Sequence, residues 1–157
     1  RLDSPAHRGD FIVDVLEGIG VRDVEFRERQ MVPESMSLRE ILQMVLVTRQ
    51  NYFPVSDAEG RLVGIFSTDD VRSFLYDETI WQLAVARDVM TTNLVTVTPD
   101  DDLNTALRQF TSLNIDELPV FDEKDRGKFL GVRRRKDAIA KYNHQLMLLK
   151  HGAQDAG

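Results

Sequence analysis

The chain has 157 residues, 42% hydrophobic and 29% charged, so it holds enough apolar material for a core and too much for a disordered chain. It has no cysteine, which excludes a disulfide framework, a thiolate zinc site and a thiol nucleophile, and fits a reducing compartment. A net charge of −6 excludes a general nucleic-acid binder, which needs clustered cations against phosphates. No apolar run approaches the roughly 20 residues of a membrane span, and no signal-peptide pattern opens the chain. The first residue is Arg1 rather than Met, which points to a piece of something larger.

Taken in order, the chain begins with a polar-then-apolar lead in which Phe11, Val15 and Ile19 fall on one side of a short helix and Gly18 and Gly20 loosen its end. Met31-Val32 follows as a short strand. Ser37-Leu38-Arg39-Glu40 fits a capping box, and Leu38, Ile41, Leu42, Val45 and Leu46 then repeat at helical spacing. Phe53 to Val55 is the next strand, Ala58-Glu59-Gly60 turns the chain, and Leu62 to Phe66 returns as a hairpin partner. Ser67 or Thr68 caps a closing helix whose apolar side is Val71, Phe74 and Leu75. Trp81, beside Ile80 and Leu83, reads as core packing. Leu94 to Val97 is then a strand, Asp100-Asp101-Asp102 a helix cap rather than a metal site, and Leu103, Ala106, Leu107, Phe110 and Leu113 a helical stripe. Phe129 to Val132 is a hairpin return, and Ala138, Ile139 and Tyr142 face inward on a last helix. Gly152 to Gly157 reads as a frayed tail.

These elements are two copies of one unit. At one constant offset Arg22-Asp23-Val24 recurs as Arg87-Asp88-Val89, Val32 meets Val97, Leu38 meets Leu103, Leu42 meets Leu107, and Pro54-Val55 meets Pro119-Val120. The offset lengthens slightly where Gly64 meets Gly131 and Asp70 meets Asp137, the extra residues falling in a hairpin loop that absorbs them cheaply. The expected fold class is α+β: two β-α-β-β-α repeats, each with a parallel pair joined by a right-handed crossover and an antiparallel return. The expected divisions are a lead over 1–20, a first repeat over 21–80, a second over 81–147 and a tail over 148–157.

Gly64-Ile65-Phe66-Ser67-Thr68-Asp69-Asp70, with the apolar-Pro-Val strand before it, resembles the cystathionine β-synthase (CBS) domain, and two copies in register resemble the tandem Bateman module. The resemblance runs from Val21 to about His144 and implies a pseudo-twofold body whose clefts bind adenosine-containing ligands such as AMP, ADP or ATP. It assigns Ser67 and Asp70 to the ligand motif, with Thr68 at the same helix start and Tyr52, Phe53 and Pro54 as the apolar adenine slot and backbone contacts. An aspartate accepts hydrogen bonds from both cis hydroxyls of a ribose, and a hydroxyl with free amides at a helix start meets a phosphate. The competing reading is plain capping, since Ser and Asp are stabilised in a first helical turn without any ligand. Asp69 adds a second negative charge there, so adenosine or a monophosphate is expected to bind better than a bare triphosphate.

The second copy departs from that motif. Asp137 is kept, but Arg134 stands where Ser or Thr is expected, and Arg133 stands where the first copy has Phe66. Arg133-Arg134-Arg135-Lys136, with Lys124, Arg126 and Lys128, reads as a solvated basic surface pairing with acidic groups across an interface, as a cationic clamp for a polyphosphate with Arg134 and Asp137 as its candidate ligand-binding residues, or as a membrane-surface patch.

His7, His144 and His151 are scattered, and no nucleophile elbow, Walker loop or dinucleotide fingerprint is present, so no catalysis is assigned and no cofactor is required. The lead resembles the linker after the last membrane helix of bacterial CLC-type chloride channels, whose CBS pairs lie in the cytoplasm beneath a dimeric membrane domain. The resemblance implies a cytoplasmic, homodimeric regulatory module attached to a membrane-embedded channel or transporter domain in the same chain. The alternatives are a ligand-free dimerisation module, or the CBS pair of another transporter or signalling protein.

Overall fold

The computed structural model describes residues 17–125 and 127–156. After a 3-10 turn at Val21–Asp23, the elements are β1 (Phe26–Arg27), β2 (Val32–Pro33), α1 (Leu38–Val47), β3 (Tyr52–Ser56), β4 (Leu62–Ser67), α2 (Thr68–Arg72), α3 (Glu78–Leu83), α4 (Ala86–Val89), α5 (Leu103–Leu113), β5 (Glu117–Phe121), β6 (Phe129–Arg134) and α6 (Arg135–Ala156). The described chain divides into two units, one spanning Glu28–Leu94 with 127–129, the other holding the remainder.

In the unit built on Glu28–Leu94 the sheet order is β2-β3-β4. β2 runs parallel to β3, pairing Val32 with Val55, and β4 returns antiparallel, pairing Tyr52 with Ser67 and Phe53 with Phe66. Phe53 and Phe66 are buried, and their rings stack at 5.1 Å between centroids. Offset aromatic pairs of this kind add about 0.5–1.5 kcal/mol beyond the area they bury. Ser37 caps α1 by accepting the Glu40 amide at 3.2 Å, but the reciprocal bond of the expected box is not made. Leu38 and Ile41 are fully buried, whereas Leu46 is 84% exposed, because the stripe outruns the sheet in the last helical turn. Leu75 is also exposed, since α2 stops at Arg72 and the helical phase is lost. Trp81 packs on this core and its indole N–H donates to the Phe74 carbonyl.

In the other unit the order is β1-β6-β5, with β1 antiparallel to β6. The strand expected over Leu94–Val97 shrinks to one bridging residue: Val97 bonds both Pro119 and Phe121, while the Leu94 amide turns back to Thr92. Asp102 caps α5 by accepting the Thr105 amide at 2.7 Å, and Asn114 closes it in the left-handed conformation. Leu103, Ala106, Phe110 and Leu118 form the core with Val120 and Ala138. Leu113 and Ile139 lie outside it, each 44% exposed, and Tyr142 packs partly against it. The stretch expected to fray is helical through Ala156. Among the expected lead residues, Phe11 and Val15 lie outside the described residues, while Ile19 is buried in this core.

The two repeats exchange their leading segments. Val21 N donates to Asp101 O at 2.7 Å, Arg22 N to Pro99 O at 3.2 Å, and Leu103 N to Ile19 O at 2.7 Å. At the offset of the repeat, the same three bonds recur with the copies reversed: Ala86 N to Met36 O, Arg87 N to Glu34 O, and Leu38 N to Ala84 O, at 2.9, 3.0 and 2.9 Å. Val21 and Val24 thus enter the core beside α5, and Ala86 and Val89 the core beside α1. Two glycines permit the approach. A Cβ on Gly64 would lie 2.4 Å from Met90 Sδ, and one on Gly131 would lie 2.3 Å from the Phe26 ring and 2.7 Å from the Arg27 carbonyl.

Candidate functional site

The first-copy motif sits where β4 runs into α2. Register places Tyr52 opposite Ser67, so the start of β3 and the end of β4 flank one helix start. Ser67 Oγ accepts the Asp70 amide at 3.2 Å, and Asp70 Oδ2 accepts the Ser67 amide at 2.8 Å, a complete capping box. The Thr68 amide donates to Asn51 O at 2.9 Å. Three of the four amides from Ser67 to Asp70 are therefore engaged, leaving few donors for a phosphate. Asp70 itself is exposed, and its Oδ1 keeps its lone pairs open among the described residues. Asp69 is 83% exposed and pairs with Arg72 at 3.4 Å. Pro54 is buried, and Phe53 is 2% exposed with its ring stacked on Phe66, so that ring is closed to a ligand. Tyr52 is half-buried at the strand start, and its carbonyl accepts from Gln50 Nε2 at 2.7 Å.

The second-copy motif has the same placement and different contents. Arg134 ends β6, and its guanidinium forks onto Asp137, Nε to Oδ2 at 2.9 Å and Nη2 to Oδ1 at 3.2 Å. Arg27 Nε, from β1, reaches the same Oδ2 at 3.4 Å. The Asp137 side chain is only 10% exposed. The Arg134 hydrogen bond, aided by both arginine charges, holds its carboxyl below the usual carboxylate range against the opposing effect of burial. The same bond raises Arg134, and the field of buried Glu117 adds to it.

The basic run divides: Arg133 is buried, Arg134 and Arg135 are ion-paired, and Lys136, Lys124 and Lys128 are exposed, while Arg126 lies outside the described residues. Arg133 is only 7% exposed, lies 4.7 Å over the Phe26 ring, and donates from Nε to the Val21 carbonyl at 3.0 Å. Its Nη1 is buried with no partner among the described residues, and burial pushes its guanidinium down from the usual range. Arg135 pairs with Asp116 at 2.6 Å. Of the four, Lys136 alone falls among the exposed residues. The Asp100–Asp102 run divides its work: Asp100 pairs with Arg22, Asp101 accepts the Thr98 amide at 2.9 Å, and Asp102 caps α5. No cluster of three metal-ligating side chains occurs among the described residues.

Sequence reasoning missed Arg27, Phe26 and Glu117. The offset between the copies puts Glu117 at the place of Tyr52, and that was the available signal. An open cavity of about 600 Å³ lies elsewhere in the Glu28–Leu94 unit, lined by Arg39, Leu42, Val45, Leu46, Leu75 and Trp81 among others. It does not include Ser67 or Asp70.

Comparison with known proteins places this geometry. The CBS domain family is matched over residues 21–77 and again over 86–143. A solved structure of CBSX2 in complex with AMP is 25% identical, with a TM-score of 0.68 over 81% of this chain and 98% of that one. The CBS domain of a bacterial CNNM/CorC family Mg2+ transporter, 18% identical, shares the fold with a TM-score of 0.70 over 89% of this chain and 84% of that one. A homoserine O-acetyltransferase from Methanohalophilus mahii is 24% identical over 112 residues, 71% of this chain; the chain spans about a fifth of that enzyme, 22% of its length. With both copies matched and two α+β units built on the same plan, the chain belongs to the CBS domain family as a tandem pair, a regulatory fold.

Proposed function

We propose that this CBS pair is a cytoplasmic regulatory module that senses adenosine or AMP at the first-copy site and biases an attached channel or transporter. The observation that carries the reading is Asp70: an exposed carboxylate with one open oxygen, held rigid by its capping box beside the Tyr52 strand start. An oxygen so placed accepts ribose hydroxyls without reorganising. The engaged amides and the Asp69 charge favour a nucleoside or monophosphate over ADP or ATP, and the AMP complex of CBSX2 supports the ligand class. The mechanism is a population shift, in which the ligand stabilises one arrangement of the pair and the membrane domain reads it. CLC-type parentage rests on the lead segment's resemblance.

The module is further read as a homodimer. Leu46, Val47, Tyr76 and Leu83 in one unit and Met147 and Leu148 in the other are more than half exposed, apolar surface of the kind partners cover. This same surface favours the second reading, a dimerisation module that needs no ligand.

A magnesium-free thermal-shift titration with adenosine, AMP, ADP, ATP and S-adenosylmethionine tests the proposal. Ligand at about 100 times its dissociation constant adds about 2.7 kcal/mol, and the shift is expected for adenosine and AMP and lost in Asp70→Ala. Since Asp70→Ala also removes its half of the capping box, each variant is compared with its own ligand-free melt. No shift with any ligand leaves the dimerisation module; tightest binding by ATP refutes the site as drawn.

A further inference from the structure

We infer that Arg134 is a built-in occupant of the second copy, closing that site to nucleosides and limiting each chain to one. The inference rests on the reading of Asp70 as the first-copy ribose acceptor and compares equivalent positions. The alignment of the two copies carries Tyr52, Ser67 and Asp70 onto Glu117, Arg134 and Asp137. In the first copy the carboxylate is exposed and keeps one oxygen open. In the second, both oxygens are taken by the planar fork of Arg134, at 2.9 and 3.2 Å, and Arg27 adds a third contact at 3.4 Å.

A ribose offers neutral hydroxyls. To reach Asp137 it must displace charge-assisted bidentate bonds that form within one helical turn and cost almost no chain entropy to make. The guanidinium it displaces would also stay beside buried Glu117. The serine in the equivalent place is a single hydroxyl that caps the helix and points no charge at its aspartate. One substitution, Ser to Arg at the end of the return strand, thus converts a ligand carboxylate into half of an internal ion pair.

Equilibrium dialysis with radiolabelled AMP tests this on the full chain. Wild type is expected to bind one AMP per chain, Arg134→Ser two, and Asp70→Ala/Arg134→Ser one. Asp137→Asn in an otherwise unchanged chain is expected to leave the single equivalent intact. If the first-copy reading alone fails, wild type binds none while Arg134→Ser binds one, and the closure of the second copy by Arg134 stands without the count of one per chain. Two equivalents in wild type, or loss of an equivalent in Asp137→Asn, overturns it. So does the absence of a gained equivalent in both Arg134→Ser and Glu117→Tyr/Arg134→Ser. Should Arg134→Ser fail to fold, the wild-type count and Asp137→Asn still decide.

Discussion

Gly131→Ala tests the account of how the leading strand docks. Gly131 has φ +154°, a region that L side chains rarely adopt, and holding alanine there costs about 1–3 kcal/mol. Its new Cβ would lie 2.3 and 2.4 Å from two carbons of the Phe26 ring and 2.7 Å from the Arg27 carbonyl. The ring is 40% exposed and can swing aside; the carbonyl belongs to β1 and cannot move without opening its pairing with β6. Overpacking of this kind costs about 1–3 kcal/mol. The sum, about 2–6 kcal/mol, lowers the melting temperature by about 4–24 °C in a chain of this size. Urea denaturation followed by circular dichroism gives the free energy, and the Phe26→Ala/Gly131→Ala pair separates the two causes: removing the ring relieves the steric part and leaves the backbone strain. A Gly131→Ala protein within about 0.5 kcal/mol of wild type would show that β1 does not lie against Gly131 as described.

Three other outcomes follow from the same contacts. Asp137 is held below its usual range in the folded chain, so its stabilisation is complete above the unfolded value of about 3.9 and is lost as pH falls through the lower folded value; denaturation curves from about pH 6 to about pH 2 should show an acid-side loss that Asp137→Asn lessens. Arg133 holds a buried cation whose Nη1 has no partner among the described residues, and a buried unsatisfied donor costs about 1–3 kcal/mol, more when charged; Arg133→Met is expected to melt at or above wild type, and a loss beyond about 2 kcal/mol would mean that its bond to Val21 and its stacking on Phe26 outweigh burial. A fragment spanning 28–94 keeps Ala86 and Val89 in its core, whereas 21–80 lacks both; only the former is expected to give a cooperative melt, and equal behaviour of the two would contradict the exchange of leading segments.

The repeat, its caps and its hairpins were legible because each rests on local chemistry: Ser67 and Asp102 cap as their spacing to Asp70 and Thr105 implies, and Phe53 and Phe66 alternate inward as a hairpin requires. The exchange was not legible. Val21 and Ala86 carry the same local pattern, and a duplicated sequence fits either copy's helix start equally well, so only the folded chain distinguishes them. The stripes were over-read at their ends, where Leu46, Leu75, Leu113 and Ile139 keep helical spacing past the point where a core is there to meet them. At the second-copy site the departure of Arg134 from Ser was visible, and so was its close spacing to Asp137. Arg27 was not, because it arrives from a strand far back in the chain.

The traded leads also bear on how such a chain arises. Two half-length ancestors framed like residues 21–80 would make between separate molecules the contacts that the two copies trade here. Joining two copies end to end replaces this encounter by an intramolecular one, at an effective concentration set by the connection rather than by abundance. Folding then no longer depends on how much protein is present. Once both halves are covalently joined they need not stay alike, which leaves one free to keep its serine while the other takes up an arginine.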